Sequence, residues 1–132
     1  MNMAGVIGIP MVAAVLAAAG LVGTVSLAES AVPSTAHGAE VYERCAACHS
    51  LEHDRTGPRH CGLFGRRAGS VAGFEYSEAM RASGITWNEA TLDRFLASPM
   101  KVVPGTSMGY AGVDDARDRH DLIAYLESAC AS

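Results

Sequence analysis

The stretch Cys45-Ala46-Ala47-Cys48-His49 sets two cysteines three residues apart and a histidine directly after the second. That pattern is the signature of covalent c-type haem attachment. The chemistry requires the spacing. Each thiol adds across one vinyl group of the porphyrin and forms a thioether. Residues at i and i+3 share one face of a helical turn, so Cys45 and Cys48 can reach both vinyls together. His49 then offers an imidazole nitrogen to the iron. Four cysteines and five histidines placed at random would give the pattern with a probability of about half a percent. Two other chemistries use a Cys-x-x-Cys pair. A thioredoxin-like redox pair needs a strand–helix–strand context, and none is visible. A zinc site needs a second spaced pair, whereas His60 and Cys61 are adjacent. The motif predicts one haem c, attached through Cys45 and Cys48.

The 132 residues are enough for one small domain. A net charge of −4, with a single lysine at Lys101, argues against a nucleic-acid partner. Residues 1–28 carry no charged side chain. They read as a secretory signal peptide ending at the small-x-small site Ser26-Leu27-Ala28, before Glu29. The usual positive start is missing, and an uncleaved membrane anchor is the alternative. Pro10, Gly5, Gly8, Gly20 and Gly23 interrupt such a span and favour cleavage. Either way the remainder is exported to an oxidising compartment, the periplasm. Residues 29–37 contain Pro33, Ser34 and Thr35 without periodicity and read as a leader, or as a tether if the anchor stays. Residues 38–132 form the folded domain. So short a chain has little core of its own, and a buried haem would supply the apolar centre.

No strand pattern or internal repeat is found. Gly38 to Ala46 reads as a helix with Val41 and Tyr42 inward, delivering Cys45. The glycines between Gly57 and Gly73 break the next segment into a close wrap of loops. Ser77 is placed to cap a short helix stopped by Gly84. Thr86-x-x-Glu89 has the form of a capping box, with Asn88 as the other candidate cap. The helix that follows carries Leu92, Phe95 and Leu96 on one face and ends at Pro99. Met100 to Gly112 is irregular. Asp114 and Asp115 suit the positive end of a last helix. Leu122, Ile123, Tyr125, Leu126 and Ala129 would form its buried side.

An iron with one histidine ligand has a second face. The methionines (Met80, Met100 and Met108 among them), His37, His53, His60 and His120 are the side chains that could occupy it, or it stays open. Met108 stands out, because Pro104-Gly105-Thr106-Ser107-Met108 sets it in a rigid Pro/Gly loop. A methionine inside a helix is more often core filler.

Six motifs in order now resemble one family: Cys45–His49, Gly57-Pro58, Gly62-Leu63-Phe64-Gly65-Arg66, Gly73-Phe74-Glu75-Tyr76, Gly84 to Glu89 with Trp87, and Pro104 to Met108. Asp121-Leu122-Ile123-Ala124-Tyr125-Leu126 extends the series. Over residues 38–130 the chain resembles the class I cytochromes c, the group of mitochondrial cytochrome c and bacterial cytochrome c2. The resemblance implies an all-α class I cytochrome c fold, a small helical domain wrapped around one covalently bound haem. It implies His49 and Met108 as the iron ligands. The Pro58 carbonyl would accept the other ring N–H of His49 and fix its tautomer. Tyr76 and Trp87 would hydrogen-bond a haem propionate, with Arg66 near it. Thr106 would hold the Met108 loop, and the first and last helices would cross near Gly38. In the family's fold the end of the last helix passes the loop that carries Cys61. In an oxidising compartment this implies a Cys61–Cys130 disulfide.

Departures are also visible. His60 stands where the family usually carries an apolar residue, and it is expected to make a hydrogen bond at the edge of the core. Met80 replaces a residue that is often polar, and Phe95 one that is often tyrosine. The segment from Gly38 to Cys45 is one residue shorter than in mitochondrial relatives. The function implied is that of a monomeric electron carrier and not an enzyme. Its partners would be redox proteins. A quinol–cytochrome c oxidoreductase or a dehydrogenase would be the donor, and an oxidase, a reductase or a reaction centre the acceptor. A membrane-tethered donor, or a haem enzyme or gas sensor, are the alternatives. A basic rim of Arg44, Arg55, Arg59, Arg66, Arg67 and Lys101 is the candidate docking charge.

Overall fold

The computed structural model describes Gly5 and residues 32–131. The readings of residues 1–28 as signal peptide or anchor therefore lie outside the described residues, as do Glu29 to Ala31 of the leader. Among the described residues five helices occur: α1 (Thr35–Tyr42), α2 (Glu78–Ala82), α3 (Glu89–Ala97), α4 (Pro99–Val102) and α5 (Ala116–Ser128). They contain no strand, only one antiparallel bridge between Arg67 and Thr86.

Helix α1 begins three residues before the expected Gly38. Ser34 is its cap, and its hydroxyl accepts from the amide of His37. The helix also stops earlier, at Tyr42. From Arg44 to His49 the chain continues in tight turns, with amides bonded three or four residues back. One such turn carries the attachment motif. The Cys45 carbonyl accepts from the amides of Cys48 (3.1 Å) and His49 (2.9 Å), which puts the three side chains of the motif on one turn.

Helices α1 and α5 cross in contact. A Cβ on Gly38 would fall on the Asp121 carbonyl and lie 2.7 Å from Tyr125 Cβ, so only glycine permits the approach. Val41 and Leu122 are fully buried beside the crossing. Asp121 is buried as well. Its Oδ1 accepts from the Ser34 amide at 2.8 Å, so a carboxylate of α5 sits at the positive start of α1. The apolar pattern of α5 could not announce this buried acid. Leu122, Ile123 and Leu126 are buried as expected and Tyr125 is half-buried, whereas Ala129 is exposed.

Two further elements differ from expectation. The capping box of α3 is formed by Asn88 and Thr91, not by Thr86 and Glu89: each side chain bonds the other's amide, at 2.9 and 2.8 Å. Pro99 ends α3 but also opens α4, where its missing N–H costs nothing at the first helical position. Leu92, Phe95 and Leu96 of α3 face inward, and Asp93 anchors α5 through Arg119 Nε at 2.7 Å. Asp115 caps α5 through two backbone amides, as the acidic pair suggested.

Candidate functional site

The loops between α1 and α2 and the loop after α4 enclose a cavity of about 300 Å³. Its wall is mainly apolar, built from Leu63, Met80, Leu92, Phe95 and Leu96. The motif residues open into it. Cys45 is half-buried and Cys48 exposed, and neither forms a disulfide. Burial pushes the Cys45 thiol up, against a smaller opposing pull from Arg44.

His49 is buried at the cavity wall. Its Nδ1 lies 2.8 Å from the Pro58 carbonyl, which can only accept, so Nδ1 carries the proton. Nε2 is then the unprotonated nitrogen, and it makes no hydrogen bond among the described residues. Desolvation lowers the imidazole pKa, and the Pro58 bond opposes that in part. The ring is therefore neutral near neutrality, the form a metal binds. Gly57 explains how the ring fits. A Cβ there would lie 2.6 Å from both His49 nitrogens, so the backbone passes where no other residue could.

Met108 reaches the same cavity and is half-buried. Its amide donates to Thr106 Oγ1 at 3.2 Å, which braces the loop. Trp87 is buried on the wall, tilted against Phe95 with centroids 5.0 Å apart. Tyr76 is half-buried, edge-on to Phe74, and burial raises its pKa. Arg66 lines the cavity but spends donors on the backbone. Nη2 bonds the Arg59 carbonyl at 2.8 Å and Nη1 that of Cys61 at 3.1 Å. Burial lowers its pKa. Cys61 and Cys130 are disulfide-bonded, with Cα atoms 5.3 Å apart.

His60, the departure singled out in the sequence, also borders the cavity. Its Nδ1 is 3.2 Å from Tyr42 Oη, and its ring stacks on His49. Desolvation, with lesser repulsion from His49 and Arg66, pushes its pKa down to about 3. Tyr42 is pushed up to about 12, chiefly by burial, so it keeps its hydroxyl proton. The stacking was not legible in the sequence, because it joins two loop residues through the fold. The Gly57 contact was signalled only by Gly-Pro following the motif.

The nine residues expected to hold the haem, spread over sixty-three positions from Cys45 to Met108, thus all line one cavity. Two unpaired thiols, a neutral imidazole with a free nitrogen, an apolar wall and a thioether fit a covalently held haem c. This defines an all-α haem protein. Comparison with known proteins agrees. The cytochrome c family profile matches residues 35–129. Cytochrome c of Gibberella zeae is 46% identical over 96 residues, spanning 70% of this chain and 91% of the relative. Cytochrome c2 of Blastochloris viridis is 41% identical over 105 residues, spanning 77% and 83%. Among solved structures, cytochrome cH from Methylobacterium extorquens is similar at a TM-score of 0.69 and 40% identity, covering 71% of this chain and 97% of that one. The chain belongs to the cytochrome c family, as a class I c-type cytochrome. It is a mono-haem electron carrier whose cofactor is haem c.

Proposed function

We propose that the protein is a soluble periplasmic carrier with His49 and Met108 as the iron ligands and Cys45 and Cys48 as the thioether anchors. It takes single electrons from a quinol–cytochrome c oxidoreductase or a dehydrogenase and delivers them to an oxidase, a reductase or a reaction centre. The observation that carries this reading is the orientation of His49. Pro58 fixes its tautomer and leaves Nε2 free at a cavity that Met108 also lines.

When bound, haem c supplies an iron that gains or loses one electron. The chain's own residues do the rest. Leu63, Met80, Leu92, Phe95 and Leu96 exclude water from the cavity. Pro58 holds the His49 proton on Nδ1 and raises the ring's strength as a ligand. Thr106 braces the Met108 backbone, so the thioether is presented by a fixed loop. Tyr76 and Trp87 would offer O–H and N–H groups to the propionates at the wall, and Arg66, whose Nη atoms bond backbone carbonyls, would contribute its positive charge beside them.

Docking charge is sparser than the sequence suggests. Arg44 pairs with Asp118 at 3.1 Å and Arg59 with Asp54 at 3.1 Å. Arg66 is turned onto carbonyls. Arg55, Arg67 and Lys101 make no ion pair among the described residues.

Fractionation of cells that make the protein, with N-terminal sequencing, tests the location. The reading requires soluble haem protein whose chain starts at Glu29. Recovery with the membranes and an intact start at Met1 would favour a tethered donor instead.

A further inference from the structure

The His60 imidazole lies face to face with that of His49, with centroids 4.2 Å apart and planes 21° from parallel. Its placement is held from several sides. Tyr42 Oη is 3.2 Å from Nδ1, and the Tyr42 ring meets it edge-on at 5.6 Å. The carbonyls on either side of it, those of Arg59 and Cys61, are both clamped by the Arg66 guanidinium. Cys61 is bonded to Cys130, just beyond the end of α5. Tyr42 in turn leans on Tyr125, with centroids 5.4 Å apart. A row of rings, Tyr125, Tyr42, His60 and His49, therefore runs from the crossing of α1 and α5 to the cavity.

The Pro58 carbonyl restrains one atom of His49. A hydrogen bond keeps most of its strength over about 30° of misalignment, so it fixes the tautomer more firmly than the ring plane. A flat face stacked on the ring removes that remaining freedom. An aliphatic side chain at position 60 would fill the space but would offer no plane. We propose that His60 is a positioning residue: stacked on His49 and anchored by Tyr42, it sets the plane of the iron-binding imidazole. The inference rests on His49 being an iron ligand.

The plane of an axial imidazole splits the iron d orbitals, and the anisotropy of the low-spin ferric g-values reads that splitting. The test compares His60→Leu, His60→Phe and Tyr42→Phe in the full haem-loaded chain, by electron paramagnetic resonance and redox titration. His60→Leu shifts the g-values and the midpoint potential while the far-red sulfur-to-iron band persists. His60→Phe keeps a flat ring and returns the g-values toward those of the unsubstituted protein. Tyr42→Phe gives a smaller shift in the same direction as Leu, and it decides the matter should His60→Leu fail to accumulate. Unchanged g-values in all three, or equal shifts for Leu and Phe, would overturn the positioning role and leave His60 as packing. An unsubstituted protein without low-spin haem or the far-red band would instead overturn the ligand reading, and this inference with it.

Discussion

The Cys61–Cys130 bond closes a loop of 69 residue steps, more than half of the folded domain. Replacing both cysteines by serine releases that constraint from the unfolded chain. The chain-entropy relation gives about 4 kcal/mol for a loop of this length. A domain of this size has on the order of 5–15 kcal/mol in total, so the loss is a large part of its stability. Near the melting temperature it corresponds to a fall of roughly 15–30 °C. Cys45 and Cys48, the proposed thioether anchors, lie outside the closed loop and are unchanged in the variant, so the comparison isolates the disulfide. The assay is reversible guanidinium unfolding of the haem-loaded protein and the double-serine variant, followed by far-ultraviolet circular dichroism. A stability difference under about 1 kcal/mol, the size of one ordinary hydrogen bond, would refute the loop-closure argument.

Three other substitutions probe separate parts of the account. Gly38→Val drives a side chain into the Asp121 carbonyl and should cost about 3 kcal/mol through separation of α1 and α5, read by thermal unfolding; an unchanged melting temperature contradicts the close crossing. Thr106→Val removes the acceptor for the Met108 amide, worth about 1 kcal/mol, and should make displacement of Met108 by added imidazole about fivefold easier. His37→Ala tests a pH-dependent tie. The hydrogen bond to Asp118 raises the His37 pKa, and the same bond lowers that of Asp118. The stabilisation is therefore complete below the unfolded histidine value and above the unfolded aspartate value, a window from about pH 4 to pH 6.5. It is lost as pH rises through the folded His37 pKa or falls through the folded Asp118 pKa. The stability gap between the two proteins should be widest inside that window and narrow by pH 9. A gap independent of pH would contradict the tie.

Short-range chemistry was legible in the chain. The attachment motif, the apolar face of α3 and the acidic cap of α5 each depend on residues within a turn or two of one another. The misplaced boundaries have local causes too. Pro33-Ser34-Thr35 reads as linker, yet Ser34 is a helix cap whose partner amide lies three residues on. Thr86-x-x-Glu89 has the right residue types, but Asn88 and Thr91 bond each other's amides. Pro99 acts as both a stop and a start, and its sequence shows only the stop. Long-range relations were not legible from pattern alone. The buried Asp121 is explained by the Ser34 amide, 87 positions away. The His60 stack depends on how two loops meet. Beyond Cys45, Cys48, His49 and Met108, the cavity gathers residues whose common purpose only the family resemblance suggests.

The central claim is that His49 and Met108 take the two faces of one haem iron. Optical spectra of the purified protein, oxidised and reduced, together with a pyridine haemochrome assay, test it most directly. The account predicts a low-spin c-type spectrum whose oxidised form carries the weak far-red sulfur-to-iron band, with that band lost in Met108→Ala. A high-spin spectrum that binds carbon monoxide readily, or a far-red band that survives Met108→Ala, would contradict it.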